Sequence, residues 1–395
     1  MQNILNPRSA LWTAAFRPFF LVAALHSAFA VSFWMLILFS VQRSPFLLNG
    51  IQVHSYEMVF GFARAAILGF LFTAAQNWTK SVLLNRNSLF FLSALWLVGR
   101  FGFLYEPLTY LAITSDLYCD ILTLFYLGPP LWKKGQEHNR IIVISYALFF
   151  ILHVCVIFSY LEILPSAWGL HFVHLSIFLV LQFVVIIGGR ILPFFTSVAV
   201  PKANPKKSPL LERIVQYTWF LFLLLEALVY WLPILRLPAG LFCLGLAIVH
   251  FFRFFLLEPW RSYKVPILWV LHSGYFWLVV GLTAYGFSHL GVFETSPAFH
   301  LFTTGAIGVF VFGMITRVSL GHTGRPIRAS KPIILAYLLI NLAVIFRSFL
   351  PLFGKNIAAY MISSFCWVSS FLIFLLEYYR ILVNPRSEPG GISGR

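Results

Sequence analysis

The sequence predicts an all-α fold: a polytopic membrane protein, a bundle of about twelve transmembrane helices with both termini cytoplasmic. Three observations predict it. Of the 395 residues, 60% are hydrophobic and only 10% charged, where a soluble domain is about a quarter charged. Apolar segments long enough to cross a bilayer core alternate with short polar breaks. The basic residues gather on alternate breaks, which is the positive-inside bias. A net charge of +16 would suit nucleic acid on a soluble surface. Distributed this way it fits a lipid bilayer, and no nucleic-acid partner is expected.

In chain order the expected helices cover about 18–41, 58–76, 88–106, 112–132, 141–161, 170–189, 214–233, 238–257, 266–287, 298–316, 332–351 and 356–379. The first runs past Ala28-Phe29-Ala30, which mimics a cleavage site, so no cleavable signal peptide is expected. The longest break, about 192–213, carries Pro201, Pro205, Pro209 and a lysine cluster. It reads as a cytoplasmic linker between helices 1–6 (about 18–189) and helices 7–12 (about 214–379) of one integral domain spanning 1–395. A short polar tail, 380–395, follows. No convincing repeat relates the two halves. The tenth helix belongs to the stretch His300–Pro326, where small residues (Gly305, Ala306, Gly308, Gly313) precede Arg317, His322 and a turn. At helical rise, His300 and His322 lie roughly 33 Å apart, at opposite membrane faces, and cannot ligate the same atom.

With the N-terminus inside, all but six of the 28 Lys and Arg residues fall on the cytoplasmic face. The exceptions are Arg43, Arg64, Arg100, Arg236, Arg347 and Lys355. The four cysteines (Cys119, Cys155, Cys243, Cys366) sit inside apolar runs with no CxxC spacing. They read as buried small hydrophobes.

Ionisable groups at membrane depth are costly and mark function. On the outer face His54 opens helix 2, His171 and His174 open helix 6, and His300 opens helix 10. Helical spacing puts His54, Glu57 and Met58 on one face, and His171 with His174 on another. Imidazole suits haem iron and copper, and thioether suits reduced copper. Helix-end histidines are equally at home in the membrane interface. On the inner face Arg17, Arg190, Arg317 and His322 gather, fit to pair with a haem propionate, a quinone head or a lipid phosphate, or simply to reach the headgroups. Arg64 and Arg100, inside helices 2 and 3, should face the bundle interior with Asp116, Asp120 or Glu226 as partners. His26, His153, His250 and His272 read as packing residues, and His138 and His289 as loop residues.

Several stretches together resemble the NnrS family across nearly the whole chain. They are F-R-P-F-F near the start, H-x-x-E-M-x-F-G-F (His54–Phe62) running into Leu71–Thr79, L-W-L-x-G-R (Leu95–Arg100), G-R-x-x-P-F-F-T from Gly189, L-H-x-G-Y-x-W (Leu271–Trp277) and the run through G-H-T-G-R-P. The resemblance implies a bacterial inner-membrane protein containing haem, of b-type, and copper, made in response to nitric oxide and protective against nitrosative stress. Outer-end histidines on helices 2, 6 and 10 also resemble haem–copper oxidases, where those helices donate metal ligands. Helix 7 has no histidine and helix 10 only one at its outer end, so a complete oxidase-type dinuclear centre is not expected. The ligands expected are His54 and His300 for haem, and His171 and His174, with Met58 near His54, for copper or a second site.

Three functions compete. The first is a haem/copper protein binding nitric oxide. The second is a multi-pass transporter, for which Arg64, Arg100 and Asp120 are the only midplane raw material. The third is a turnover nitric oxide reductase, which needs a quinol partner and a carboxylate path that Glu57, Glu162 and Glu226 do not draw. Whether the protein is an enzyme stays open at this stage.

Overall fold

The computed structural model describes residues 6, 8–41, 49–101 and 106–387. Arg43, Arg395 and positions 102–105 of the expected third helix lie outside the described residues. Among those described there is no strand. The long helices are α1 Phe16–Leu38, α2 Gly50–Thr79, α3 Arg86–Phe101, α4 Thr109–Trp132, α5 Arg140–Tyr160, α6 Gly169–Ala199, α7 Pro209–Val229, α8 Arg236–Phe255, α9 Pro266–His289, α10 Thr295–His322, α11 Lys331–Phe349 and α12 Asn356–Val383. Each coincides with an expected segment.

Ten helices among the described residues are long and apolar enough to cross a membrane, which makes this a multi-pass membrane protein. Two of the expected spans fall short of that measure. Helix α3 has 16 residues among those described, about 24 Å at helical rise. Helix α7 carries Glu212, Arg213 and Glu226 within its 21 residues.

Two boundaries move for physical reasons. Helix α2 starts at Gly50 because Asn49 and Gln52 form a capping box: the Gln52 N–H donates to Asn49 Oδ1 (3.0 Å) and the Asn49 N–H to Gln52 Oε1 (2.9 Å). His54 therefore sits one turn inside the helix. Helix α6 continues through Pro193 to Ala199, so the stretch expected as a linker from about 192 is non-helical only over 200–208. A proline removes one backbone hydrogen bond, but an apolar environment penalises breaking the remaining ones more. Pro209 then begins α7 behind the Ser208 cap.

Helices α2 and α10 each contain a π-helical stretch, Glu57–Ala63 and Leu301–Val309. Each begins within three residues of a histidine singled out above, His54 or His300. Such stretches widen the turn and re-aim side chains, often at functional sites.

The chain divides into two compact units. Unit 1 comprises Met1–Ser176, Ile315–Ile327 and Phe371–Arg395; unit 2 comprises Ile177–Met314 and Arg328–Ser370. In unit 1, α1 packs on α2, α3 on α4, and α4 on α5. In unit 2, α9 is central, packed on α8 and on the π-helical part of α10, which also meets α11.

Candidate functional site

Unit 1 holds a buried polar network to which α1 to α5 all contribute. Arg64 lies between two carboxylates one helical turn apart on α4: Nη2 donates to Asp116 Oδ1, and Nη1 reaches Asp120 Oδ2 at 3.2 Å. Arg100 donates to Asp116 Oδ2 and, through Nη1, to Glu57 Oε2 at 2.8 Å. His26 Nε2 stands 2.8 Å from the same Glu57 oxygen. Tyr56 donates its hydroxyl to Asp116 Oδ2 (2.8 Å) and also contacts His153 Nε2 (2.8 Å). His153 Nδ1 is 2.6 Å from Asp120 Oδ2, and Tyr146 donates to Asp120 Oδ1 at 2.7 Å. The side chains of Arg64, Asp116, Asp120 and His153 are 0% exposed. Phe60 stacks on the His153 ring at 4.0 Å.

The sequence builds this locally. A Cβ on Gly99 would overlap the Asp116 carboxylate, so only glycine lets α3 approach α4 closely enough for its neighbour Arg100 to reach Asp116. The π-helical turn beginning at Glu57 changes the angular offset between Glu57 and Arg64, and both point into the network. The motif residues Glu57, Gly99 and Arg100 thus belong to one construction.

Unit 2 has two smaller clusters. Arg253 of α8 makes a bidentate pair with Glu212 of α7 (2.9 and 2.6 Å), and its Nη1 also donates to Val185 O (3.0 Å) and the Tyr275 hydroxyl (2.8 Å). Tyr275 in turn meets His250 Nδ1 at 2.7 Å. Gly189 again makes room, since a Cβ there would collide with the Arg253 guanidinium. His272 Nε2 contacts Thr196 Oγ1 at 3.0 Å. His250 Nε2 and His272 Nδ1 are buried and have no hydrogen-bond partner among the described residues. The second cluster joins Glu226 to Tyr285 (2.6 Å) and His289 (3.0 Å).

Arg64 and Arg100 find Asp116 and Asp120 as expected, together with Glu57, whereas Glu226 is in unit 2 with Tyr285 and His289. His289, set aside above as a loop residue, is the last residue of α9 and pairs with that carboxylate. His26 and His153, read as packing residues, belong to the unit 1 network. The Glu212–Arg253–Tyr275–His250 chain has no local signature, because its members lie on three helices and Glu212 and Arg253 are 41 residues apart. The G-R-x-x-P-F-F-T and L-H-x-G-Y-x-W motifs were the only pointers, through Gly189, Thr196, His272 and Tyr275.

The histidines expected at the outer face are half-buried. In unit 1, His54 stacks on Trp34 (4.9 Å). His171 and His174 sit in the first two turns of α6, also in unit 1. Met58 falls inside the π-helical stretch that begins at Glu57. His300, in unit 2, has Nδ1 2.8 Å from Ser296 O. That contact puts the ring proton on Nδ1 and the lone pair on Nε2. Among the described residues no three His, Cys, Asp or Glu side chains gather as a metal-holding group.

Of the residues expected at the inner face, Arg17 is 3% exposed and Nη1 donates to Leu382 O (2.7 Å) and Asn384 O (2.6 Å), holding the end of α12. It lines a cavity of about 550 Å³ with Arg8, Arg86 and Arg386. His322 is exposed, its ring 5.6 Å from that of Phe16. Arg317 is buried in unit 1 and Arg190 half-buried in unit 2.

No curated protein matches the chain. The family model described as NnrS protein matches residues 10–386, nearly the whole length, and the chain belongs to the NnrS family.

Proposed function

We propose that the protein binds haem and copper in a bacterial cytoplasmic membrane and protects the cell from nitric oxide. Family membership carries this reading. The imidazoles support it. A haem needs only one or two of them, and a ligating histidine characteristically holds its other ring nitrogen in a hydrogen bond. His300 has that form, with Nδ1 on Ser296 O. His250 has it more fully buried, with Nδ1 at Tyr275 and Nε2 unpartnered. The proposed haem ligands are accordingly His300, His54 and, added by the structure, His250. Copper is assigned to His171 and His174, with Met58 as a thioether donor. Arg17, Arg190, Arg317 and His322 would meet propionates or headgroup phosphates. Haem iron with an open position supplies direct binding of nitric oxide, an apolar gas that concentrates in the bilayer. Quinol is the proposed source of electrons for any redox cycling.

The test is the ultraviolet–visible spectrum of detergent-purified protein, with iron and copper quantified, before and after anaerobic nitric oxide. A Soret band that shifts with nitric oxide supports the reading, and unchanged haem content in His54→Ala removes that residue from the ligand set. Protein made with haem available that carries neither metal makes transport the better reading. One observation favours that alternative: the unit 1 network supplies the buried polar site a transporter needs.

A further inference from the structure

The unit 1 network contains one proton more than its residues carry in their ordinary neutral-pH forms. Two independent counts give this result. The first is charge. Arg64 and Arg100 contribute two positive charges, and Glu57, Asp116 and Asp120 three negative ones. A deeply buried group of charges is stable only when compensated, so neutrality requires one added proton.

The second count is of hydrogens. Asp116 Oδ2, the Tyr56 oxygen, His153 Nε2 and Nδ1, and Asp120 Oδ2 form three consecutive contacts of 2.8, 2.8 and 2.6 Å. Each contact needs one hydrogen. Tyrosine supplies one, a neutral imidazole supplies one, and ionised carboxylates supply none. The third must be an added proton. With Tyr56 donating to Asp116, His153 donates from Nε2 to Tyr56 and from Nδ1 to Asp120.

We propose that His153 and Asp120 form a proton-binding pair inside unit 1 that holds one exchangeable proton at neutral pH. The proton lies between His153 Nδ1 and Asp120 Oδ2. The hydrogen count that carries it uses none of the residues proposed for haem or copper. The groups facing the site are His26 from α1, Tyr56, Glu57 and Arg64 from α2, Arg100 from α3, Asp116, Cys119 and Asp120 from α4, and Tyr146 and Tyr160 from α5. The Asp120 carboxylate in direct contact, and Asp116 through the Tyr56 hydroxyl, are the anions that hold the proton there. Exposure rises toward one end of the network, from 0% at His153 and Asp120 to 6% at Arg100, 9% at His26 and 12% at Glu57. Binding takes up one proton and moves no electron.

The experiment is nitrogen-15 and carbon-13 NMR of the full-length protein in detergent, labelled at histidine and aspartate. The His153 signal is assigned by its loss in His153→Gln. Should that variant not fold, Phe60→Leu assigns the signal by removing the ring current of the stacked phenyl group. The expected result at pH 7 is a second proton on the His153–Asp120 pair, seen as imidazolium nitrogens or a protonated carboxyl, and lost as pH rises. In Asp120→Asn, two positive and two negative charges balance without it, so His153 should read as a neutral imidazole at pH 7. A singly protonated His153 beside an ionised Asp120 in the unaltered protein would overturn the proposal. So would an imidazolium that persists in Asp120→Asn.

Discussion

The two units handle buried charge differently. In unit 1 five helices send three carboxylates, two guanidinium groups and two imidazoles into one connected network, and each carboxylate has at least two partners. Unit 2 keeps its charges apart: Glu212 with Arg253, Glu226 with His289. It also leaves imidazole nitrogens of His250 and His272 unpartnered. A connected network stores charge and fixes the helices around it, even with Arg64 Nε lacking a partner among the described residues. A buried imidazole with an unpartnered nitrogen has a donor atom to spare for a ligand. The contrast assigns proton binding to unit 1 and makes unit 2 the place to look for a buried cofactor ligand.

The comparison breaks most severely at the arginines. Arg64→Met removes the guanidinium that Asp116 and Asp120 share in a fully buried site. We expect a loss of about 3–5 kcal/mol, as for other buried pairs broken from one side, read as failure to express or a steep drop in thermal stability. Adding Asp120→Asn should recover part of it. Arg253→Met in unit 2 should cost markedly less, because the Glu212 side chain it leaves behind is 28% exposed and can be solvated. Equal losses at the two arginines would erase the distinction between the units.

Gly99→Ala comes next. Its Cβ would overlap the Asp116 carboxylate, so α3 must move away and Arg100 loses Asp116. Overpacking of this kind costs about 1–3 kcal/mol, and thermal unfolding of the detergent-solubilised variant measures it. A smaller paired effect is expected from the two tyrosines. Tyr146→Phe leaves Asp120 with Arg64 and His153, while Tyr275→Phe leaves His250 Nδ1 with no described partner. Each should lose about 1–3 kcal/mol, with Tyr275→Phe the larger of the two because nothing else meets His250 there.

How much of this was legible in the sequence follows from the range of the forces involved. Helices were readable because apolar length is a local property, and all the expected segments recur. The pairing of Arg64 and Arg100 with Asp116 and Asp120 was readable in kind, since charge at membrane depth must be compensated. Glu57 was not read as a partner of Arg100 and His26, because three helices must assemble before those side chains meet. The continuation of α6 through Pro193 was missed because hydropathy ignores where hydrogen bonding stops. Glu212, Arg253 and Tyr275 could not be joined at all, as three helices must assemble before their side chains meet. Even so, the motifs that carried the family resemblance pointed at the right places. Gly99 and Gly189 stand where buried arginine–carboxylate contacts need a missing side chain.

The smallest effect on stability, and the sharpest on function, is expected at His250. Its ring is fully buried against Trp219 and Tyr275, and one of its nitrogens has no partner there. His250→Leu exchanges that unsatisfied nitrogen for apolar surface. It leaves Tyr275 still accepting from Arg253 at 2.8 Å. The gain and the loss are of similar size, so stability should change by about 1 kcal/mol or less. If the imidazole holds haem iron, the Soret absorbance per protein should fall at least severalfold while the unfolding temperature barely moves. A variant that unfolds like the parent and keeps its full haem would make the spare nitrogen a packing defect. The search for ligands would then return to His300, where Ser296 already sets the tautomer that a ligand requires.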